Sequence, residues 1–551
     1  MADGTEKQKA SWLTAIAATI FIFAIAMDPV MMPIATSAVV EDLNTDTGMV
    51  QAAIALVSLV AAPLYITGGK LGDIQGKKKI FLIGLVLWGI GPLTAALAPS
   101  MLILIGGWSV LKALGMVLAI PTSVGLLIAN YPDEAQRGQA FAYYGVGAVA
   151  AALVGPLLMG FSVEAISWRL PYGLLVILIA ITFVLAAWGI KETEKIATAK
   201  VDWGGTLLTF LAVAAVILGS MLGGRFGWWL ARRPFTIGEF QLNPLGLSPA
   251  PYLIVCGFIL AAILLARLTR IQERGGQPLF SMKLFDNRTF FAAWGAALFA
   301  FVLSGALPFI IPVFTQQALG FDSLQSAFVM VAFSLGSIVL GFISGRLLQR
   351  MQARTLMQVF LVVIAVGLIW LVYVADVNMS LESFLLPMFV IGAGFGVISA
   401  QVPNIQLTNL NPGLQGEGSG FSETGKELGI GLGTAVIGSI MFSMAIGGFV
   451  DSVARRASIP LTIEERAETI LLIEDEAFPE EAMEALSQRV PNLEQIGNEA
   501  FVEGFQIALG VLLGVILVAL LLASFIPKVE IEQVTAEETK ELVADVASKR
   551  L

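Results

Sequence analysis

Long apolar runs dominate this chain, and they limit what it can fold into. Of its 551 residues, 57% are hydrophobic and only 13% are charged. Many runs exceed the roughly 18 apolar residues that mark a membrane-spanning helix, and they lack the alternation expected of barrel strands. We therefore predict an all-α polytopic membrane protein with fourteen spans. The predicted spans cover residues of about 12–38, 49–68, 80–98, 101–129, 140–161, 171–190, 203–222, 251–268, 289–316, 323–345, 355–375, 383–407, 418–449 and 502–526.

The distribution of lysine and arginine predicts the orientation of the spans. With an even number of spans, both termini lie on one side of the membrane. The connections on that side, together with the termini, hold 22 of the 32 basic residues, and the other connections hold eight. Because basic connections stay in the cytoplasm, we expect both termini to be cytoplasmic in a multi-pass protein of the cell membrane.

One basic connection occurs twice. The stretch Gly69–Lys79, GKLGDIQGKKK, lies between spans 2 and 3, and Gly345–Arg354, GRLLQRMQAR, lies between spans 10 and 11. Asp73 corresponds to Gln349, so the second copy has lost the acidic position. The repeat predicts two related six-helix bundles, spans 1–6 and 9–14, with spans 7 and 8 as an inserted pair. Parallel repeats of this kind are typical of transporters.

This organisation divides the chain into six segments. They are an N-terminal bundle at 1–190, a linker with two extra spans at 191–283, the first five helices of the C-terminal bundle at 284–450, an extracytoplasmic loop at 451–500, the last span at 501–526 and a cytoplasmic tail at 527–551. In the loop, the periodic stretch TIEERAETILLI predicts a short helical hairpin, either a plain cap or an element with a gating or partner role.

The composition excludes several kinds of chemistry. Cys256 is the only cysteine and histidine is absent, so cysteine clusters and histidine ligands for a metal are excluded. Gly420–Glu427 resembles a phosphate-binding loop, but it ends in Glu where Ser or Thr is required, and no strand precedes it. We therefore predict no enzymatic activity, no cofactor, no metal and no nucleic-acid partner.

Several motifs resemble the major facilitator superfamily, specifically its fourteen-helix drug:proton antiporters. The stretch Gly69–Lys79 is similar to the superfamily's loop 2–3 motif, with Gly69, Asp73, Gly76 and Lys77 at the expected places. The resemblance implies that these four residues take part in gating, and that the protein acts as a monomer on small molecules and protons within the lipid bilayer.

Span 5 carries the second resemblance. Gly147, followed by Gly155 and Pro156, is similar to the antiporter signature of that helix. Ala151 and Met159 stand where the family usually has glycine. In span 4, the family's arginine position holds Ser109, and a lysine, Lys112, lies one turn further along.

Two charged residues fall deep inside the predicted bundle. Asp28 lies about 16 residues into span 1, and Lys112 lies about 11 residues into span 4. A charge at that depth costs a few kcal/mol and is a functional hypothesis by default. An Asp28–Lys112 pair would reduce the cost for both groups. The pair can act as a proton-coupling switch, with Lys112 as charge partner or substrate contact, or as a static brace.

Span 13 contains a second charged group. Glu423 and Glu427 are four residues apart on one face, and Lys426 is placed to pair with Glu423. Glu427 lies deeper and is a candidate for a second proton-coupling site. Glu423 lies near the cytoplasmic mouth, where it is either a further proton site or a solvated side chain.

Spans 12 and 9 offer possible substrate contacts. Gln401 and Asn404 lie midway through span 12 and could bind a ligand or bond to a neighbouring helix. Span 9 has five aromatic side chains that could line an apolar pocket, although we expect most of them to face lipid. They are Trp294, Phe299, Phe301, Phe309 and Phe314.

Together these features predict a secondary active transporter that exports lipophilic or amphipathic compounds in exchange for protons by alternating access. One alternative is an exporter of a single endogenous lipid or anionic metabolite, because the buried lysine suits an anionic group. A second is a non-transporting membrane scaffold or sensor with a transporter fold, although a scaffold gains nothing from buried charges at the midplane.

Overall fold

The computed structural model describes residues 12–527 apart from several short gaps, and it is built almost entirely from helices. The gaps are 132, 194, 196–199, 233–234, 238–239, 242–243, 349, 408–409, 411–413 and 475–489. Gln349 of the repeated basic stretch lies in one of them. Within the described residues, fourteen helices are long and apolar enough to cross a membrane. The predicted number of spans is therefore confirmed.

The N-terminal bundle contains six of these helices. They are Leu13–Ile34, Thr47–Gln75, Lys77–Leu97, Met101–Asn130, Gln136–Ala165 and Leu170–Gly189. A short helix, Thr36–Leu43, follows the first span. Span 2 contains one 3-10 turn at Ala62–Leu64, and span 4 contains a π-helical stretch at Ile105–Leu111.

The other eight spans form the inserted pair and the C-terminal bundle. They are Trp203–Gly224, Pro249–Glu273, Arg288–Gln317, Ser323–Leu347, Ala353–Val374, Leu381–Leu407, Gly416–Ala457 and Leu493–Ala523. Span 13 has a π-helical stretch at Gly433–Ile437. Helices Lys283–Asp286 and Ile463–Glu474 lie outside the spans, as do a 3-10 turn at Pro244–Gly246 and an antiparallel hairpin of two-residue strands, Thr236–Ile237 and Phe240–Gln241.

The two bundles repeat the same helix pairings. In each, the first helix packs on the fifth and sixth, the fourth packs on the second and third, and the third packs on the sixth. Each bundle also has its own large cluster of buried apolar side chains. The prediction of two related six-helix bundles is therefore confirmed.

The bundles meet along matching helices. Span 2 packs on span 13, span 5 packs on span 10, and span 1 contacts span 9. We call the end of the molecule that carries the Gly69–Lys79 connection the basic end, and the other the opposite end. Glycines allow close packing between span 5 and span 10, since a Cβ added to Gly160 would lie 2.8 to 2.9 Å from atoms of Ser323 and Leu324.

Several spans differ from the predicted boundaries. Span 2 continues to Gln75 and span 3 begins at Lys77, so the predicted connection Gly69–Lys79 is helical except at Gly76. Span 1 ends at Ile34 rather than near residue 38. Span 13 continues to Ala457, and span 14 begins at Leu493, so both helices extend into the segment predicted as a loop. An ion pair links the two extensions, since Arg456 of span 13 lies 3.0 Å from Glu499 of span 14. Of the predicted hairpin, the helix Ile463–Glu474 is present, and most of the rest lies outside the described residues.

The inserted spans 7 and 8 are joined at the basic end by Asp202. Its carboxylate accepts a hydrogen bond from the backbone of Gly205, 2.9 Å away, and so caps span 7. The same carboxylate lies 2.7 Å from the guanidinium of Arg267 in span 8. Burial alone would raise the pKa of Asp202, but these hydrogen bonds outweigh burial and hold that pKa below its usual value.

We expect the stabilisation from Asp202 to depend on pH. A carboxylate whose pKa is lowered by folding contributes stability at neutral pH, and that contribution is lost as the pH falls through the folded-state pKa, below 3.8. At pH 7, Asp202→Ala should lower the melting temperature, since it removes a cap worth about 1 kcal/mol and an ion pair. Asp202→Asn, which can still cap the helix, should lower it less. Equal melting temperatures for all three proteins at pH 7 would contradict this role.

Candidate functional site

The centre of the N-terminal bundle contains a buried ion pair. Asp28 of span 1 and Lys112 of span 4 are each 2% exposed, and the ammonium group of Lys112 donates a hydrogen bond to Oδ2 of Asp28. The contact anticipated from their depth in the two spans is therefore present. Asp28 precedes Pro29, and Pro33 follows one turn later, so backbone hydrogen bonding in span 1 is interrupted beside the carboxylate.

Trp108 completes the surroundings of this carboxylate. Its indole Nε1 donates a hydrogen bond of 2.9 Å to Oδ1 of Asp28. The Nζ atom of Lys112 lies 3.4 Å from the centre of the Trp108 ring, which is a cation–π contact. Each oxygen of Asp28 thus has its own donor, and the lysine charge faces both a carboxylate and an aromatic ring. The sequence analysis did not identify Trp108, because a tryptophan in an apolar span is ordinarily a packing residue.

The backbone of span 4 and a glycine of span 3 make room for the pair. Trp108 lies within the π-helical stretch Ile105–Leu111, and Lys112 follows it directly; such stretches are frequent at functional sites. A Cβ added to Gly91 in span 3 would lie 2.6 Å from the Cβ of Lys112. Ser109 donates a hydrogen bond of 2.8 Å to the carbonyl of Ala53, which ties span 4 to span 2.

Glu427 of span 13 joins the two bundles. Its Oε1 accepts a hydrogen bond of 2.7 Å from the hydroxyl of Ser58 in span 2. Glu427 is also close enough to interact electrostatically with Lys112. A carboxylate of the C-terminal bundle therefore faces the charged centre of the N-terminal bundle.

The neighbouring charges of span 13 pair locally. Lys426 donates a hydrogen bond of 2.7 Å to Oε1 of Glu423, as their spacing predicted. The same ammonium lies 5.7 Å from the centre of the Phe301 ring. Glu423 is thus bound by a lysine of its own helix, whereas Glu427 is bound by the opposite bundle.

Gln401 of span 12 bonds to a neighbouring helix, and Asn404 bonds to Gln401 within span 12. Gln401 donates a hydrogen bond of 2.6 Å to Ser344 of span 10, and Asn404 donates one of 2.9 Å to Gln401. For Gln401, the structure therefore shows the interhelical hydrogen bond, which was one of the two interpretations of the sequence. Gln406 differs, because among the described residues neither polar atom of its buried side chain has a hydrogen-bond partner.

Three of the five aromatic residues predicted in span 9 are buried, so the expectation that most of them face lipid was wrong. Phe301, Phe309 and Phe314 are buried in the core of the C-terminal bundle. Phe314 stacks on Phe505 of span 14 with ring centres 4.0 Å apart. The indole of Trp294 donates to the carbonyl of Phe421, 3.0 Å away. Hydropathy cannot separate these environments, because a lipid-facing position and a core position are both apolar.

The glycines of the span 5 motif lie against span 1. A Cβ added to Gly147 would lie 2.8 Å from the carbonyl oxygen of Thr19, and one added to Gly155 would lie 2.9 Å from a methyl group of Val30. Pro156 and both residues that replace family glycines, Ala151 and Met159, are buried as well. The motif therefore sets the distance between span 5 and the helix that carries Asp28.

The residues of the basic connection have distinct contacts. Gly76 has a φ of +100°, which a residue with a side chain rarely adopts, and it makes the turn between spans 2 and 3. Asp73 pairs with Lys77 at 2.6 Å. Gly72 packs on Thr122 of span 4, whereas Gly69 has only an ordinary contact with that span.

A residue that the sequence analysis missed caps the helix after this turn. Glu192, from the connection after span 6, accepts hydrogen bonds of 3.0 Å from the backbone of Lys78 and of Lys79. Asp73, the acidic residue just before this turn, accepts a hydrogen bond from the side chain of Lys77. Glu192 lies in a loop without a motif, so only the fold brings it to the helix.

Contacts between the bundles at the basic end pass through Lys70 and Glu417. Their side chains are 3.6 Å apart, and Lys70 also donates a hydrogen bond of 2.8 Å to the carbonyl of Pro278. Glu417, at the start of span 13, accepts a hydrogen bond of 2.7 Å from the backbone of Ser281. The basic connection is thereby tied to both the linker and the C-terminal bundle.

At the opposite end, hydrogen bonds connect the bundles around span 9. Gln316 accepts a bond of 2.6 Å from Ser37 and donates one of 3.0 Å to the carbonyl of Ile34. Glu164 of span 5 accepts a bond of 2.9 Å from the backbone of Ser323.

Spans 5 and 10 have more open surroundings toward the basic end. A Cβ added to Gly145 or Gly345 would meet no other atom within 4 Å. The two spans are therefore in contact at the opposite end, and these two glycines have free space at the basic end.

Three curated relatives are similar over most of the chain. Multidrug resistance protein 3 of Bacillus subtilis is 24% identical over 79% of this chain and 80% of its own length. The tetracenomycin C resistance and export protein of Streptomyces glaucescens is 24% identical over 96% of this chain and 94% of its own. A probable actinorhodin transporter of Streptomyces coelicolor is 27% identical over 76% and 70%.

Solved structures share the fold at low sequence identity. A bacterial homologue of the human lysosomal transporter Spinster, solved in an inward-facing and unoccupied conformation, gives a TM-score of 0.57 at 14% identity and covers 94% of this chain and 98% of its own. A peptide transporter in complex with alafosfalin gives the same TM-score, with 94% and 95% covered. At this identity the likeness concerns the fold.

The family model of the Major Facilitator Superfamily matches residues 14–434, from the first span to the π-helical stretch of span 13. This match contains the Asp28–Lys112 pair, the basic connection and Glu427. The relatives are named for multidrug resistance, antibiotic export or transport, and both solved structures are described as transporters or transporter homologues. The chain therefore belongs to the Major Facilitator Superfamily of membrane transporters.

Proposed function

We propose that this protein exports lipophilic or amphipathic compounds across the cell membrane in exchange for protons. The observation that carries the proposal is the buried Asp28–Lys112 pair, with Trp108 on its second oxygen and Glu427 facing it from the other bundle. The relatives named for multidrug resistance and antibiotic export support the direction and the class of substrate.

Asp28 is the first proton-coupling residue in this proposal. As a carboxylate, Asp28 accepts hydrogen bonds from both Lys112 and Trp108. If it takes up a proton, it loses the charge that compensates Lys112, and an unpaired charge in a buried site costs about 3–5 kcal/mol. The lysine must then find another anionic partner, and Glu427 is the carboxylate of the other bundle in electrostatic range. Protonation thereby favours a different arrangement of the two bundles.

Alternating access requires contacts that can break on each side in turn. At the opposite end, Gln316 and Glu164 hold the bundles together. At the basic end, Lys70 of the basic connection contacts Glu417 of the C-terminal bundle. With the basic end in the cytoplasm, as the lysine and arginine distribution predicts, the Lys70–Glu417 contact lies on the cytoplasmic side and the bonds of Gln316 and Glu164 lie on the outer side.

Lys112 supports a second candidate, the export of an anionic metabolite or lipid. When Asp28 is protonated, an anionic group of a substrate could replace it as partner of the lysine. The cation–π contact with Trp108 would keep the ammonium in place. The two candidates differ in the charge of the transported compound.

We expect Asp28→Asn to abolish substrate-driven proton movement. In proteoliposomes loaded with a pH-sensitive dye, the native protein should move protons when a lipophilic cation such as ethidium is added. The variant should behave like protein-free liposomes, because the amide cannot bind and release a proton. Asp376→Asn, at an exposed carboxylate between spans 11 and 12, should retain native flux. Equal flux from Asp28→Asn and the native protein would remove Asp28 from the proposal, and a response only to an anionic amphiphile would favour the second candidate.

We expect Lys112→Met to destabilise the protein and a second substitution to restore part of the loss. The single variant leaves the Asp28 carboxylate buried without its cation, at a cost of about 3–5 kcal/mol. The double variant Asp28→Asn with Lys112→Met removes both charges, so its melting temperature should be higher than that of Lys112→Met. If the double variant melts at a lower temperature than Lys112→Met, so that the losses in stability from the two substitutions add, the residues do not form the interdependent pair proposed.

We expect Glu427→Gln to impair proton coupling more than Ser58→Ala. The glutamine amide can still accept the hydrogen bond from Ser58, so this change removes the titratable group and keeps the contact between bundles. Ser58→Ala removes the contact and keeps the carboxylate. Proton flux measured for both variants separates the two roles: normal flux in Glu427→Gln would leave Glu427 as a structural contact only.

A further inference from the structure

A separate cavity of about 580 Å³ lies at the opposite end of the molecule. Spans 2, 7, 13 and 14 form its walls, and Ile473 of the helix Ile463–Glu474 contributes to its lining. We call this helix the roof helix. The volume falls within the range of about 300–1,000 Å³ that is usual for small-molecule sites.

The cavity is distinct from the charged centre. Neither Asp28, Lys112 nor Glu427 lines it. On span 2, Gln51 faces the cavity, whereas Ser58, two turns further along, holds Glu427. Occupation of this cavity and occupation of the ion-pair site are therefore separate events.

The lining combines apolar walls with uncharged polar groups. Phe442 of span 13 and Phe501 of span 14 lie on one side, with ring centres 6.1 Å apart. Gln51 donates a hydrogen bond of 2.6 Å to the carbonyl of Thr434, in the π-helical stretch of span 13. The hydroxyls of Ser439 and Ser443 also line the cavity.

Charge contributes little to this lining. Among the described lining residues, Asp46 is the only ionisable one, and its carboxylate caps span 2 by accepting a hydrogen bond of 2.9 Å from the backbone of Met49. The side chain of Arg232 donates to Ser443 at 2.7 Å but is not itself part of the lining. The chemistry therefore suits a molecule with an apolar body and a polar group that carries no charge.

The roof helix is attached to the rest of the protein by an ion pair. Arg466 contacts Asp451, at the end of span 13, with both ends of its guanidinium, at 2.6 and 2.8 Å. Paired contacts of this kind fix direction as well as distance. At the start of the helix, Thr462 and Glu465 bond to each other's backbone, which is a capping box. The predicted loop segment is therefore built to hold Ile473 over the cavity.

We propose that this cavity is a binding site for an uncharged amphipathic molecule, and that the roof helix retains the molecule there. The site does not depend on the proposed transport function, because it requires binding alone. The proposed site gives a role to the segment after span 13, which has no contact with the charged centre among the described residues.

The test is protection of an engineered cysteine. In a Cys256→Ser background, Ala52→Cys places a thiol in the lining, and Ser380→Cys places one at an exposed position between spans 11 and 12 as a control. The protein is reconstituted in lipid nanodiscs and its reaction with a maleimide is timed. The probes are decyl glucoside, decyl sulfate and decyltrimethylammonium, which share one alkyl chain and differ in head-group charge.

We expect decyl glucoside to slow modification of the Ala52→Cys thiol about tenfold at ten times its dissociation constant. The two charged probes should protect less, and Ser380→Cys should not be protected. Arg466→Ala should weaken protection by releasing the roof helix, whereas Arg455→Ala, which removes a neighbouring charge that donates a hydrogen bond to Ser452 of its own helix, should weaken it less. If Ala52→Cys fails to fold, Ile446→Cys on span 13 serves as the reporter.

Three results would overturn the proposal. They are no protection by any probe, equal protection by all three probes, and protection of Ser380→Cys together with the reporter, which would mean partitioning into the bilayer. Unchanged protection in Arg466→Ala would remove the roof helix from the site. Because binding is measured at equilibrium, failure of proton exchange in the transport assays would leave these outcomes unaffected.

Discussion

A charge placed in the middle of an apolar bundle must be compensated there, and much of the N-terminal bundle is arranged around this requirement. Both donors to Asp28 come from span 4, where Trp108 and Lys112 are separated by about one turn. The π-helical stretch sets their direction, and Gly91 of span 3 gives the lysine stem space to approach. The charge of Asp28 therefore depends on how spans 1, 3 and 4 pack. A change in the packing or in the ionisation of Asp28 disturbs the other.

The two bundles repeat their helix pairings but not their chemistry. The N-terminal bundle has a buried ion pair between two helices, whereas in the C-terminal bundle Glu423 pairs with Lys426 of its own helix. The span 2–span 13 contact brings Glu427 to Ser58 and toward Lys112. Because of this asymmetry, the charge of Glu427 can affect groups of the N-terminal bundle. Two identical bundles with separate sites would lack this connection.

The sequence predicts most of this fold, because the length of an apolar run and the repetition of a basic turn are local properties. The same reasoning placed Asp28 and Lys112 at one depth. It missed Trp108, Gly91 and Glu192, whose roles exist only through residues that the fold brings close. It also assigned most span 9 aromatics to lipid, although Phe309 and Phe314 are fully buried. Hydropathy measures the free-energy cost of exposing a side chain to water. That cost is the same whether the alternative is lipid or the protein core, so only packing decides between the two environments.

Elements outside the twelve-helix repeat gather in one region. Span 7, the roof helix and the extended end of span 13 all contribute to the cavity at the opposite end or to its closure, and span 8 packs along span 7. Span 2 is shared, with Gln51 on this cavity and Ser58 on the contact with Glu427. The insertions therefore add a compartment beside the buried charges, and spans 2 and 13, which contribute to both places, are where one could influence the other.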